Sequence, residues 1–155
     1  MAHRIVRTEA DRAAFLTLAS KIALPATFEW RQGADRSLEQ NRLQFLWARE
    51  TAEQRGDVTT DEVRCDWKLR HGVPIMRADS PDFHAAYDQA IKPLPYEMKA
   101  KAMQFFAVTS LMNVRQMVRY LDTIERECAE NGIRLTAPDP ELATYQARYR
   151  LKEAA

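Results

Sequence analysis

Apolar positions recur at helical spacing along most of the chain. Thr8 can cap a first helix whose Phe15, Leu18, Ala19 and Ile22 share a face and which ends before Pro25. Ser37 with Gln40, and Thr59 with Glu62, have capping-box spacing, in which side chains satisfy the free amides of a helix start. The first pair predicts a helix over Leu38–Arg55 stopped by Gly56, the second a shorter helix through Val63 and Trp67 to His71 stopped by Gly72. Ser80 and Pro81 open a helix with Phe83, Tyr87 and Ile91 on one face, broken by Pro93 and Pro95, and another helix is predicted over 96–106. The clearest stripe follows a cap at Asn113 and Gln116: Val114, Met117, Val118, Leu121, Ile124 and Cys128, ending at Gly132. This helix is expected at the centre of the core. Thr136 to Pro140 forms a rigid turn, and a last helix over 141–152 carries Leu142, Tyr145 and Tyr149 at spacings of three and four. Lying beyond that turn, it can pack either on its own core or on a partner subunit.

Between the helices lie segments of strand character. These are Ile5 and Val6, residues 27–31 closed by Gln32-Gly33-Ala34-Asp35, residues 73–76, where Pro74 restricts a strand to an edge, and residues 107–112. Paired together they predict an α+β fold, mainly α-helical with a small β-sheet or hairpin. A length of 155 residues suits one core, so residues 1–155 are expected to form a single domain.

With 46% hydrophobic and 29% charged residues the chain has the composition of an ordinary folded protein. A formal charge of +1 gives no global pull on nucleic acid, so any binding surface must come from uneven distribution. From Arg64 to Arg119 nine basic residues face five acidic ones, whereas from Tyr120 to Glu141 two face six. Cys65 and Cys128 lie far apart in no Cys-x-x-Cys pair, which suggests neither a zinc site nor a disulfide framework but reduced thiols in cytosol. No run of eighteen apolar residues occurs and the charged N-terminus has no apolar run behind it, so neither membrane insertion nor secretion is expected, and the localisation expected is cytoplasmic.

Four scattered glycines build no phosphate loop or dinucleotide fingerprint, and no zinc pattern or nucleophile elbow occurs; no catalytic residue, metal or cofactor is assigned. The best metal-like set is His84 with Asp88, one helical turn apart, together with His71, Asp61, Glu62 and Asp66. It defines a metal-dependent nuclease acting on DNA as one alternative, against the frequency of such pairs on ordinary helix surfaces. Trp30, Trp47 and Trp67 offer faces for base stacking, but Trp47 and Trp67 stand beside apolar helix positions and fit a core better. Arg36, Arg42, Lys68, Arg70, Lys99, Lys101, Arg115 and Arg119 fall mostly on polar helix sides or at helix starts. Singly they are solvated surface; together they would form a groove that tracks a phosphate backbone, with amides at the Ser37 and Asn113 helix starts adding to it. A protein-protein adaptor without DNA binding, docking through the 113–131 helix or the Tyr145/Tyr149 helix, is a further alternative.

Two stretches resemble a known family. Arg36-Ser37-Leu38-Glu39-Gln40-Asn41-Arg42 with the aromatic helix at Phe45 and Trp47, and the run from Asn113 to Glu125 with 131–139 after it, are similar to the NinB/Orf family of phage recombination proteins. Together they cover about a third of the chain. The resemblance implies a bacteriophage homodimer that acts in the bacterial host as a recombination mediator. It would bind single-stranded DNA without sequence preference and help load a phage annealing protein or recombinase onto strands covered by the host single-strand-binding protein, without a cofactor or bond-making step. The matching positions, carried over as DNA contacts, are Arg36, Gln40, Asn41, Arg42, Arg115 and Arg119. Residues 72–106 match nothing in the family's pattern.

Overall fold

The computed structural model describes Arg4, residues 6–30 and residues 38–154, with the side chains of 151–154 left aside. Ile5, the Gln32-Gly33-Ala34-Asp35 turn, Arg36 and the Ser37 cap lie outside the described residues. The chain divides into two units, Met1–Gly33 and Ala34–Ala155.

In the first unit α1 (Glu9–Ser20) begins at a full capping box: the Thr8 hydroxyl accepts from the Asp11 amide and the Asp11 carboxylate accepts from that of Thr8. No residue of α1 is buried, and Phe15 meets Phe28 edge to face with ring centroids 6.3 Å apart. Residues 26–30 run without strand pairing, and Trp30 is 85% exposed.

The described residues of the second unit form helices joined by turns and loops. It contains α2 (Leu38–Arg55), α3 (Thr60–Trp67), a π-helical turn (Lys68–Gly72), α4 (Val73–Asp79), α5 (Pro81–Ala90) and α6 (Tyr96–Ala102). After a 3-10 turn (Thr109–Leu111) come α7 (Val114–Glu130) and α8 (Pro140–Ala154). Among the described residues there is no strand, so the fold is all-α and the expected α+β sheet is corrected. The clearest departure is at residues 73–76. Val73 and Met76, both 4% exposed, bury one helical face, and Pro74 sits in the first turn of α4 directly after the π-helical turn, where the regular i→i−4 ladder is already interrupted. The expected extended piece at 107–112 contains the 3-10 turn instead, and α6 ends at Ala102, four residues before the predicted end.

Gly72 does not stop the helix either. Its backbone stays right-handed, with φ −75° and ψ −48°, and the Val73 N–H bonds the Lys68 carbonyl across the π turn, so α3 and α4 form one continuous rod. What Gly72 supplies is space. A Cβ there would lie 2.8 Å from Val108 Cγ1 and 3.5 Å from Met112 and Tyr120 side-chain atoms.

The core is organised on α7, as its stripe predicts. Val114, Met117, Val118, Leu121, Ile124 and Cys128 are all buried, and Tyr120 joins them. At roughly 1.5–3 kcal/mol for each fully buried large apolar side chain, this helix supplies a main share of the hydrophobic stabilisation. Its ends are set locally. Asn113 and Gln116 exchange side-chain bonds with each other's amides, and Gly132, at φ +71°, lets the Ile133 N–H reach the Cys128 carbonyl at 2.8 Å. Trp47 of α2 is 2% exposed and donates its indole N–H to the Thr136 carbonyl at 2.7 Å, while Gln54 both donates to and accepts from the backbone of Arg134. Trp67 is likewise core. The last helix packs on α7 of its own chain, with Leu142 and Gln146 buried and Arg150 paired to Asp122.

Substituting Gly72→Ala should destabilise the protein even though alanine is the better helix former by about 1 kcal/mol. Val108 is 0% exposed and has little room to withdraw, so a net loss of roughly 1–3 kcal/mol is expected, read as a lower urea midpoint at unchanged slope.

Candidate nucleic-acid interface

The rod of α3 and α4 turns its charged side chains to three neighbours. Near the π turn, Arg70 is held by the Asp66 carboxylate, with Nε 2.9 Å from both oxygens, and reaches Glu127 on α7. Glu127 also lies 2.6 Å from His71 Nε2, and the Tyr96 hydroxyl donates to Asp66 at 2.6 Å, so the cluster joins α3, α6 and α7. Burial opposes the charges of Asp66 and Glu127, but the hydrogen bonds from Arg70, with Tyr96 and His71 respectively, outweigh it and hold both carboxyls below their ordinary values. A second cluster forms where Arg77 bonds Asp88 in a two-point fork, with His84 at 3.0 Å and Lys92 at 3.5 Å from the same carboxylate.

These pairings use up the acidic and histidine residues that defined the nuclease alternative. Asp61 pairs with Arg64, Glu62 accepts from the Thr59 amide, and His71 and His84 belong to different clusters. Among the described residues no three His, Cys, Asp or Glu side chains stand where they could hold a metal ion.

The basic residues expected to line one groove divide into committed and uncommitted groups. Arg70 is neutralised by two carboxylates, and Arg119 shares Asp79 with Gln116. Gln40, carried over as a DNA contact, is wholly buried, which corrects that assignment: its side chain faces the interior. Asn41 is half-buried and accepts from Gln44 Nε2 at 2.8 Å. Arg42, Lys101 and Arg115 are exposed, Lys99 is half-exposed, and none of the four has an ion pair among the described residues. Arg36 lies outside them.

One surface combines cation, aromatic ring and cavity. On the outer side of α2, Leu38, Arg42, Phe45 and Arg49 follow at spacings of four, three and four, all exposed. The Arg64 guanidinium carbon of α3 lies 3.9 Å above the Phe45 ring centroid, a cation-π stack on a ring that remains 43% exposed. Arg64 also lines a cavity of about 250 Å³ with Asp61, Cys65, Lys68, Met103 and Gln104, and Phe105, next in the chain, is 88% exposed. Within it Lys68 is half-buried and donates to the Met103 carbonyl at the end of α6. Burial draws the Lys68 ammonium below its ordinary value and pushes the Cys65 thiol up, which disfavours its thiolate. Neither Phe45 nor Arg64 was a candidate from sequence, although positions 61, 64, 65 and 68 share one helical face and carried the signal.

No family model, no curated protein and no solved structure matches the chain. Among the described residues no helix is long and apolar enough to cross a membrane.

The carboxylate cluster gives a pH prediction. Asp66 and Glu127 have folded pKa values below their ordinary 3.8 and 4.5, so their stabilisation is full above those values and is lost as pH falls through the folded ones. Glu127→Gln should cost about 1 kcal/mol at neutral pH and flatten the loss of thermal stability on acidification below about pH 5.

Proposed function

We propose that the protein binds single-stranded DNA without sequence preference, through the face that α2, α3 and the end of α6 share, and serves as a recombination accessory factor of the NinB/Orf kind. The observation that carries this is the Arg64 guanidinium stacked 3.9 Å over the half-exposed Phe45 ring, with Arg42 and Arg49 on the same α2 stripe. Flat rings accept any base and cations accept any phosphate, so such a surface holds a strand while reading little of its sequence. The resemblance at Leu38 to Arg42 adds to it, because that stretch is the start of the same stripe. On this proposal the protein acts as a homodimer and helps place a phage annealing protein or recombinase on strands held by the host single-strand-binding protein. It needs no cofactor.

Titration of a fluorescent single strand and its duplex, at low and near-physiological salt with and without magnesium, tests the proposal. Preference for the single strand, weakening with salt and without cleavage, is expected. Phe45→Ala should weaken binding about tenfold, since stacking contributes on the order of 1–3 kcal/mol per base, and Arg42→Gln should reduce the salt dependence. Magnesium-dependent loss of the strand would favour a nuclease instead, and no binding at low salt would favour a protein-protein adaptor.

A further inference from the structure

The cavity between α3 and the end of α6 contains more positive charge and more unused hydrogen-bonding capacity than its own walls require. Arg64 and Lys68 stand one helical turn apart on one face, against a single carboxylate, Asp61, which lies 3.4 Å from Arg64 Nη1. The Arg64 Nε–H is out of solvent and has no acceptor within the protein. Lys68 donates to the Met103 carbonyl, and an ammonium carries two further donors. Gln104 adds an exposed carboxamide to the lining. A volume of about 250 Å³ is below that of most drug-sized sites but generous for a tetrahedral oxyanion with part of a sugar.

Buried N–H groups without partners are rare in folded proteins, because each forfeits the hydrogen bonds it made in water. Here the unpartnered donor sits on a guanidinium whose carbon lies 3.9 Å over the Phe45 ring and whose Nη1 is 3.4 Å from Asp61, two contacts that restrict its orientation. A planar, oriented guanidinium beside an ammonium matches a phosphate, which can accept from both at once.

We propose that this cavity seats one phosphodiester group of a bound single strand, held by Arg64 and Lys68 with Gln104 at its edge, while the base beside it stacks at Phe45. This rests on the single-strand-binding function proposed above and adds an anchoring site to it. The phosphate oxygens pair with the Arg64 guanidinium and a free Lys68 N–H, and Asp61, 3.4 Å from Arg64 Nη1, leaves the cavity with a net positive charge.

A direct test compares binding of a fluorescent oligothymidylate of about 20 nucleotides by wild type, Arg64→Gln, Gln104→Glu and a surface control, Arg126→Gln, across a salt series. Backbone amide NMR shifts with inorganic phosphate alone form a parallel arm. Gln104→Glu removes no buried group, so it places a repelling charge at the cavity without threatening the fold. Both cavity variants should weaken strand binding about tenfold or more, Arg64→Gln should lower the salt slope by about 0.7, and Arg126→Gln should change neither markedly. Phosphate should shift the amides around Arg64 and Lys68. If the strand binds all four proteins equally, the cavity is not the anchor while single-strand binding stands. If wild type binds no strand at low salt but phosphate shifts those amides, the phosphodiester assignment is overturned in favour of a free-phosphate site. If neither binds, both proposals fall.

Discussion

The second unit depends on how closely three side chains approach the backbone at Gly72. With hydrogen in place of a side chain there, the rod of α3 and α4 lies against Val108, Met112 and Tyr120, and those residues are what seat the start of α7. The π turn that ends at Gly72 widens the helix locally and changes the direction in which the following side chains point. Arg70 and His71 thereby meet Glu127 across the interface with α7, while Lys68 meets the last turn of α6 from the same short segment. Packing at one small residue and hydrogen bonding at three polar ones are therefore a single arrangement.

Electrostatically, the molecule separates cations that hold the fold from cations that face solvent. Arg70, Arg77, Arg119 and Arg150 each meet a carboxylate from another element or a distant part of the chain, and Asp66, Asp88 and Glu127 have their charged forms favoured by those contacts. Among the cations expected to contact DNA, residual positive character falls to Arg42, Lys99, Lys101 and Arg115, and Arg64 is only loosely matched by Asp61. A near-neutral total thus conceals an uneven availability of charge, which is the quantity that matters to an anionic partner.

Much of the helical order was legible because its signals are local. The capping boxes at Thr59 and Asn113, the glycine after α7 and the α7 stripe act over three to five residues, and each is found where its spacing predicts. The errors came where a tertiary contact decides. Residues 73–76 resemble an edge strand in isolation, yet Val73 and Met76 also share a helical face, and the core they fill makes that the lower-energy choice. Gly72 carries the residue type of a helix stop but serves as a gap for Val108, a partner 36 positions away that no local pattern reveals. The candidate site was visible only in part. Arg42 and Lys68 were among the basic residues expected there, whereas Gln40 turned inward, and the contact of Arg64 with Phe45 joins two helices whose mutual placement the sequence does not encode locally.

Lys68 has a consequence of its own. A lysine on an open surface samples many rotamers, and a ligand that captures it must suppress that freedom, at a cost of up to about 2 kcal/mol. Here the fold has already restricted the side chain, because its ammonium serves as the terminal donor for α6. The entropic penalty of immobilisation therefore falls largely on folding and not on association. The same economy ties the end of α6 to that ammonium, whose two remaining donors stay available to a second acceptor while the first holds the Met103 carbonyl.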